Sequence, residues 1–200
     1  ARPQIIKASA ISRAISKEFT NEIEEIIVHT GQHYDRELSE IFFDELEIRK
    51  PDFNLQVGSG RHGRQTGMIL ERIEDVMLSE KPDCVIIYGD TNSTLAAALA
   101  SSKQHFPVVH IEAGMRSFNK LMPEELNRIV ADHASTLLFA PTNTAFKNLM
   151  NEGFRPENVF PYSINNPRVI LTGDIMYDNS LFYASLAEKK KKDLLHNMGI

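Results

Sequence analysis

The segment that decides the fold is KPDCVIIYGDTNSTLAAALASSKQHFPVVHIEAG, residues 81–114. It contains two short apolar runs, VIIYG and VVHI, on either side of an alanine-rich stretch that predicts a helix. Both runs are continuously apolar, which is typical of parallel strands buried on both faces. A strand, a helix and a second strand of this kind form a right-handed crossover. The segment therefore predicts an α/β fold, a doubly wound parallel sheet.

The same alternation of short apolar runs and helical periodicity extends along the chain in both directions. We predict helices at residues 4–17, 35–48, 68–78, 91–104, 123–135 and 143–153, and further strands within residues 23–32, 52–57, 136–141 and 166–174. The segment GSGRHGRQTG, residues 58–67, predicts a glycine-rich bend. In the helix at 123–135, one apolar stripe holds Leu126, Ile129, Val130 and His133. We interpret His110 and His133 as core histidines.

The pattern loosens after Asp178, which suggests a domain boundary. We predict a Rossmann-like N-terminal domain at residues 1–178, followed at 179–200 by a linker or the start of a second domain. The sequence opens with ARPQIIK, which reads as a loop running into a helix. We therefore expect that the first strand of the domain is missing from this sequence.

Composition excludes several classes of function. The formal net charge is −5 and no basic face stands out, so nucleic acid is not an expected partner. No apolar run approaches transmembrane length, so no membrane association is expected. The single cysteine, Cys84, excludes an internal disulfide framework and fits a reducing, cytoplasmic setting. HExxH, CxxC pairs, calcium loops and the P-loop are all absent. The glycines of GSGRHGRQTG, residues 58–67, are only a weak nucleotide motif with no following lysine, so we predict no metal and no cofactor.

Ligands of parallel sheets collect at the carboxyl ends of the strands, and acidic residues lie there in this sequence. Asp90 follows VIIYG, where capping of the next helix and a functional role are equally good interpretations. Glu112 follows VVHI and needs solvent or a partner, and Arg116 could be that partner. Glu124 and Glu125 follow Pro123 in a first helical turn, where they would offset the helix dipole. Carboxylates crowded on one edge of a sheet are suited to proton transfer, because their pKa values separate.

Basic residues lie near the start of the first predicted helix. Arg2 and Lys7 flank that helix N-terminus, which with its dipole is a natural phosphate site, although surface ion pairs would explain either residue alone. The residues together predict a cleft for an anionic, phosphorylated ligand, with carboxylates placed for proton transfer.

Five motifs carry a resemblance to a known family: ARPQIIKASAISRAI, VHTGQHYD, YGDTNSTLAAALA, HIEAGMRSFNKLMPEELNR and LTGDIMYD. In this order they resemble the non-hydrolysing UDP-N-acetylglucosamine 2-epimerases. The resemblance implies one half of a two-domain, glycosyltransferase-B-like architecture. It also implies interconversion of UDP-N-acetylglucosamine and UDP-N-acetylmannosamine for surface polysaccharides, without a redox cofactor. The C2 proton is removed as UDP leaves C1, and UDP then adds back with the proton returned to the other face.

The resemblance also implies roles for individual residues. Arg2 and Lys7 match the phosphate-side Arg and Lys, and the three acidic catalytic residues match Asp90, Glu112 and Glu124. Asp90 and Glu112 would thus also contact substrate, and which carboxylate is acid and which is base stays open. A second UDP-sugar acts as an activator in some members, and its contacts match Gln32, His33, Arg64 and Gln65. The family further suggests a homodimer. It places a catalytic histidine and most uridine contacts beyond Ile200, so we expect this chain alone to be inactive.

Three alternatives stay open. The loop RSFNKLMPEE also occurs in relatives that act on diacetamido-uronic acid sugar nucleotides, so the substrate could be of that kind. A glycosyltransferase of the same architecture would share the sheet and the phosphate site. A non-catalytic nucleotide-sugar sensor would bind the ligand without turnover.

Overall fold

The computed structural model describes residues 2–31 and 49–197, with side chains for residues 3–31 and 49–188. The described strands are β1 (Val28–His29), β2 (Phe53–Asn54), β3 (Val85–Tyr88), β4 (Val108–Ile111), β5 (Leu137–Ala140) and β6 (Arg168–Leu171). The described helices are α1 (Arg2–Glu18), α2 (His62–Glu80), α3 (Asn92–Lys103), α4 (Pro123–His133), α5 (Asn143–Asn151) and α6 (Ile175–Asn197). None of these helices has the length and apolar character needed to cross a bilayer.

The main sheet is parallel and has the strand order β3-β4-β5-β6. Ile87 lies opposite His110, which in turn lies opposite Leu138. Every residue of β4 is buried, as its apolar run predicts. The parallel α/β fold class is thus confirmed.

The helices connecting these strands form one layer. The crossovers from β3 through β6 all proceed in the same direction across the sheet, so a right-handed crossover places α3, α4 and α5 on one face. Two apolar clusters fill this layer, one around Ile87 and Val108 and one around Leu138 and Leu149. On the other side, α1 packs against α6, where Asn179 donates to the carbonyl of Ile6 at 2.6 Å.

Within residues 2–31 and 49–197, a second parallel sheet consists of β1 and β2. Between β1 and β3 lies a cavity of about 320 Å³. Its lining is mostly apolar and includes Ile5 and Ala8 of α1, Val28 of β1, and Ile86 of β3. Ile86 lines this cavity and is 38% exposed, so the prediction that β3 is buried on both faces is wrong.

Two predicted boundaries differ from the observed structure by more than two residues. The helix predicted from Met68 begins at His62, so most of the predicted glycine-rich bend is helical. Two glycines there lower helix propensity by about 1 kcal/mol each, but burial of Gln65 and Ile69 against the fold overrides this cost. Residues 175–197 form one continuous helix across the predicted boundary at Asp178, and the division into domains stays a prediction. The helix predicted at 35–48 lies outside the described residues.

The prediction that α4 buries an apolar stripe is wrong. Leu126 is 49% exposed and Val130 is 37% exposed, and His133 also faces outward, where its ring packs on Phe154. The buried residues of α4 are instead Glu125, Asn127, Ala131 and Asp132. Polar groups can occupy this face because each finds partners at the edge of the sheet, as described below.

Candidate active site

The candidate site lies where β3 and β4 end. Gly89 and Asp90 follow β3, and Glu112 follows β4. Gly89 has a φ of 61° and Glu112 a φ of 75°, so both strands leave the sheet through the left-handed region. A residue other than glycine adopts this conformation at a cost of about 1–2 kcal/mol, which makes Glu112 unusual. The adjacent strand ends bring these two carboxylates to one edge of the sheet.

Glu112 forms an ion pair with Lys7 of α1, which is distant in sequence. The lysine side chain is 8% exposed and the glutamate side chain 30% exposed. A Cβ atom added at Gly89 would lie 3.1 Å from Lys7 Nζ and 3.3 Å from Glu112 Oε2. Glycine at position 89 is therefore what allows the β3 backbone to approach this pair.

Asp90 forms an ion pair with Arg128 of α4, and its side chain is 31% exposed. The N-cap of α3 is Thr91, whose side chain accepts a hydrogen bond from the backbone N–H of Thr94. The alternative interpretation of Asp90 as a helix cap is therefore wrong, because the next residue takes that position. Asn127 of α4 donates to the carbonyl of Asp90 at 2.9 Å.

The two adjacent glutamates of α4 have different surroundings. Glu125 is 1% exposed and accepts hydrogen bonds from the backbone N–H groups of Ser117 at 2.8 Å and Phe118 at 2.9 Å. Burial opposes ionisation of Glu125, but these hydrogen bonds and the charge of Arg128 outweigh it and lower its pKa. Glu124 is exposed and makes no hydrogen bond or ion pair with the described residues. It lies one turn before Arg128 and so shares a helix face with it.

We call the four paired residues at this edge the rim cluster: Lys7, Asp90, Glu112 and Arg128. Two buried side-chain atoms beside it have no hydrogen-bond partner among the described residues, namely Gln4 Oε1 and Arg128 Nε. Buried polar atoms are normally partnered, so hydrogen bonding beside the rim cluster is incomplete among the described residues.

Beneath the rim lies a second group of charges, which we call the inner cluster: His110, Arg116 and Asp132. Their side chains are 0%, 1% and 0% exposed. Asp132 Oδ2 lies 2.7 Å from Arg116 Nη1 and accepts from the N–H of Gly114 at 3.0 Å. Arg116 also donates two parallel hydrogen bonds of 2.7 Å to Glu152. The predicted pairing of Arg116 with Glu112 is therefore wrong, because the arginine turns into the protein towards Asp132.

In and around the inner cluster, groups of opposite charge favour each other's ionised forms. Burial raises the pKa of Asp132, but His110 and Arg116 more than compensate, so its pKa lies below the usual range. Burial lowers the pKa of Arg116, but Glu152 and Asp132 reverse this and raise it. The hydrogen bonds from Arg116 lower the pKa of Glu152. The prediction that His110 is a satisfied core histidine is confirmed, and the same prediction for His133 is wrong.

Comparison with known proteins identifies the family. Residues 16–198 match the family model described as UDP-N-acetylglucosamine 2-epimerase. The chain belongs to the UDP-N-acetylglucosamine 2-epimerase family.

Two relatives indicate the range of this epimerase family. A "UDP-N-acetylglucosamine 2-epimerase homolog" of Methanococcus maripaludis is 51% identical over the whole chain, which covers 52% of that protein. A "UDP-2,3-diacetamido-2,3-dideoxy-D-glucuronate 2-epimerase" of Pseudomonas aeruginosa is 54% identical over 94% of the chain, which covers 50% of that protein. The chain thus spans about half the length of the curated relatives it matches.

Solved structures of epimerases share the fold. The Methanocaldococcus jannaschii UDP-GlcNAc 2-epimerase, in complex with UDP-GlcNAc and UDP, matches 94% of the chain with a TM-score of 0.84 at 46% identity. The chain covers 48% of that structure. The Neisseria meningitidis enzyme bound to UDP-GlcNAc matches 98% of the chain with a TM-score of 0.84 at 32% identity, over 52% of its own length.

The remaining residues predicted from the family resemblance are only partly described. Gln32 and His33 lie outside the described residues, and so does the side chain of Arg2, whose backbone begins α1. Arg64 is exposed on the first turns of α2. Gln65 is 6% exposed, and it donates to the carbonyl of Gly58 at 2.8 Å and accepts from Asn92 at 2.8 Å. Both the nitrogen and the oxygen of its side-chain amide thus form hydrogen bonds inside the protein.

Sequence reasoning missed Arg128 and Asp132. The spacing of Arg128 from Glu124 and Glu125, four and three residues, could have suggested a shared helix face. For Asp132 no local signal existed, because its partners come from β4 and the following loop. The described residues contain no group of three or more His, Cys, Asp or Glu side chains placed to hold a metal.

Proposed function

We propose that the protein containing this chain is a UDP-sugar 2-epimerase that interconverts UDP-N-acetylglucosamine and UDP-N-acetylmannosamine. The observation that carries the proposal is the rim cluster, in which carboxylates at adjacent strand ends lie beside a nearly buried lysine. Elimination of UDP requires a positive charge beside the pyrophosphate, which leaves C1, and carboxylates near C2, which transfer the proton. The family membership supports the same reaction.

Each residue then has a proposed task. Lys7, with Arg2, neutralises the pyrophosphate as it becomes a leaving group. Asp90, Glu112 and Glu124 are the proposed catalytic carboxylates, one removing the C2 proton as UDP leaves and one returning it to the opposite face.

The test uses the full-length protein and UDP-N-acetylglucosamine in D2O, with C2 followed by proton NMR. Deuterium at C2 together with a manno product is expected, whereas a C2 proton that stays in place would contradict the proposal. Asp90→Asn should lower the rate by about 10²–10⁴-fold, the usual contribution of a general acid or base. Asp75→Asn, which changes an exposed aspartate of α2, is the matched control and should keep full activity.

A second candidate substrate is the UDP-diacetamido-uronic acid. It is favoured by the 54% identity to the Pseudomonas aeruginosa relative and by the loop RSFNKLMPEE. The same NMR experiment with that sugar nucleotide separates the two substrates. A glycosyltransferase would leave the C2 proton in place with either sugar, and a sensor would bind without any product.

Further features of the whole protein belong to the same proposal. The apolar cavity lined by β1, β3 and α1 is where we propose that a further strand of the sheet packs. A second domain, a homodimer, a cytoplasmic location and an activator site at Gln32, His33, Arg64 and Gln65 are proposed from the family. The engaged amide of Gln65 favours a role in shaping that site over direct contact with an activator. Because the catalytic histidine is expected beyond Ile200, the 200-residue chain alone should show no turnover.

A further inference from the structure

His110 and Asp132 form a completely buried pair beneath the rim cluster. Both side chains are 0% exposed, and His110 Nδ1 lies 2.7 Å from Asp132 Oδ1. The other ring nitrogen, Nε2, lies 2.8 Å from the carbonyl oxygen of Gly89. Neither residue reaches the surface, so this pair is not available to a substrate.

The hydrogen-bond partners define the form of the histidine ring. A carbonyl oxygen only accepts, and an ionised carboxylate only accepts, so both ring nitrogens face acceptors. The contacts are satisfied together only when both nitrogens carry hydrogen. Asp132 matches this arrangement, because its second oxygen is occupied by the N–H of Gly114 and by Arg116.

The backbone atoms held by this pair belong to the two strand ends of the site. The carbonyl of Gly89 lies one residue before Asp90, and the N–H of Gly114 lies two residues after Glu112. Gly114 has a φ of 79°, and a Cβ atom there would lie 2.3 Å from the carbonyl oxygen of Ala145. The pair therefore connects the backbones on which both proposed catalytic carboxylates stand.

We infer that His110 and Asp132 are positioning residues that set the distance between Asp90 and Glu112. This inference rests on the proposed function. His110 holds the end of β3 through the carbonyl of Gly89, and Asp132 holds the loop after β4 through the N–H of Gly114. Displacing one strand end by about 1 Å would cost on the order of 10²-fold in rate while the substrate still binds.

Two variants of His110 separate its two contacts. The amide nitrogen of Asn superposes on Nδ1 and that of Gln on Nε2. His110→Asn therefore keeps a donor to Asp132 and loses the contact to Gly89, whereas His110→Gln does the reverse. Ile73→Val, in the apolar core of α2, is the control for a general loss of packing.

The experiment measures kcat and KM of the full-length enzyme with UDP-N-acetylglucosamine, together with Tm. We expect His110→Asn to lower kcat by about 10²-fold with KM changed by less than about twofold, and His110→Gln to retain more activity. Ile73→Val should lower Tm without changing kcat. If His110→Asn lowers Tm but leaves kcat at the level of Ile73→Val, the pair is only structural and the inference is wrong.

An NMR measurement that does not require turnover tests the inference independently of the proposed function. In the full-length protein, nitrogen-15 NMR should show hydrogen on both ring nitrogens of His110. His110→Asn should shift the amide signals of Gly89 and Asp90 more than His110→Gln does. A His110 ring with one bare nitrogen, or equal shifts in both variants, would overturn the inference. A wild-type protein that turns over neither UDP-sugar would instead overturn the proposed function.

Discussion

The inner cluster and the rim cluster both consist of ionisable side chains but differ in their contact with water. The inner side chains are at most 1% exposed, and each charge has a partner. The rim carboxylates are about a third exposed, and Arg128 keeps an unpartnered Nε. The buried side chains of the inner cluster thus hold backbone groups, whereas the rim carboxylates face solvent at the place where we propose that a ligand binds.

The largest expected effect comes from breaking the inner cluster. Asp132→Ala removes the buried partner of His110 Nδ1, of Arg116 Nη1 and of the N–H of Gly114, which should lower the free energy of unfolding by about 3–5 kcal/mol. Asp90→Ala at the rim should cost about 1 kcal/mol or less, because solvent screens that pair. Urea unfolding of the full-length protein measures both. Equal costs for the two variants would mean that the clusters do not differ as described.

The two glutamates of α4 allow the same comparison at adjacent positions. Glu125→Ala removes the buried acceptor of the backbone N–H groups of Ser117 and Phe118 and should cost about 1–3 kcal/mol. Glu124→Ala should change stability by about 0.5 kcal/mol or less, because the side chain is exposed, but should abolish epimerisation. Unfolding and NMR assays on the same preparations test this. A Glu124→Ala enzyme with normal turnover would remove Glu124 from the catalytic set.

The pH dependence of stability gives a further test of the inner cluster. The pKa of Asp132 is lowered in the folded protein, so the unfolded chain binds the proton more readily and stability rises with pH. The contribution of this group is complete above its ordinary pKa of 3.8 and is lost as pH falls towards the lower folded value. One proton changes stability by at most about 1.4 kcal/mol per pH unit.

The variant Asp132→Asn provides the measurement. The difference in unfolding free energy between wild type and Asp132→Asn should be largest at neutral pH and should shrink as pH falls below about 4. Urea titrations at several pH values give this difference, and the other carboxylates cancel in it. A difference that stays constant with pH would mean that Asp132 is not ionised in the folded protein.

The smallest expected effect concerns the cap of α3. Thr91→Ala removes the side-chain cap and should cost about 1 kcal/mol. Catalysis should be nearly unchanged, in contrast to Asp90→Asn. Thermal unfolding together with the NMR assay separates the two residues. A full loss of activity in Thr91→Ala with little loss of stability would assign it a role at the site.

Much of the fold could be predicted from the sequence, because it depends on local patterns. The apolar runs of β3 to β6 and the helical spacing between them predict a parallel sheet, and the strand ends indicate the position of the site. The orientation of α4 could not be predicted in this way. An apolar stripe normally marks the buried face, but in α4 the buried face carries Glu125, Asn127 and Asp132, whose partners lie on other elements.

By itself, the sequence determined the order of strands and helices, the edge where ionisable residues gather, and the family motifs. Only the tertiary structure decided which charges meet: Lys7 with Glu112, Arg128 with Asp90, and Arg116 with Asp132. The physical reason is the separation along the chain over which each kind of interaction acts. Hydrophobic periodicity and capping act between neighbours in the chain, whereas a charge takes its partner from whichever element the packed sheet brings within hydrogen-bond distance.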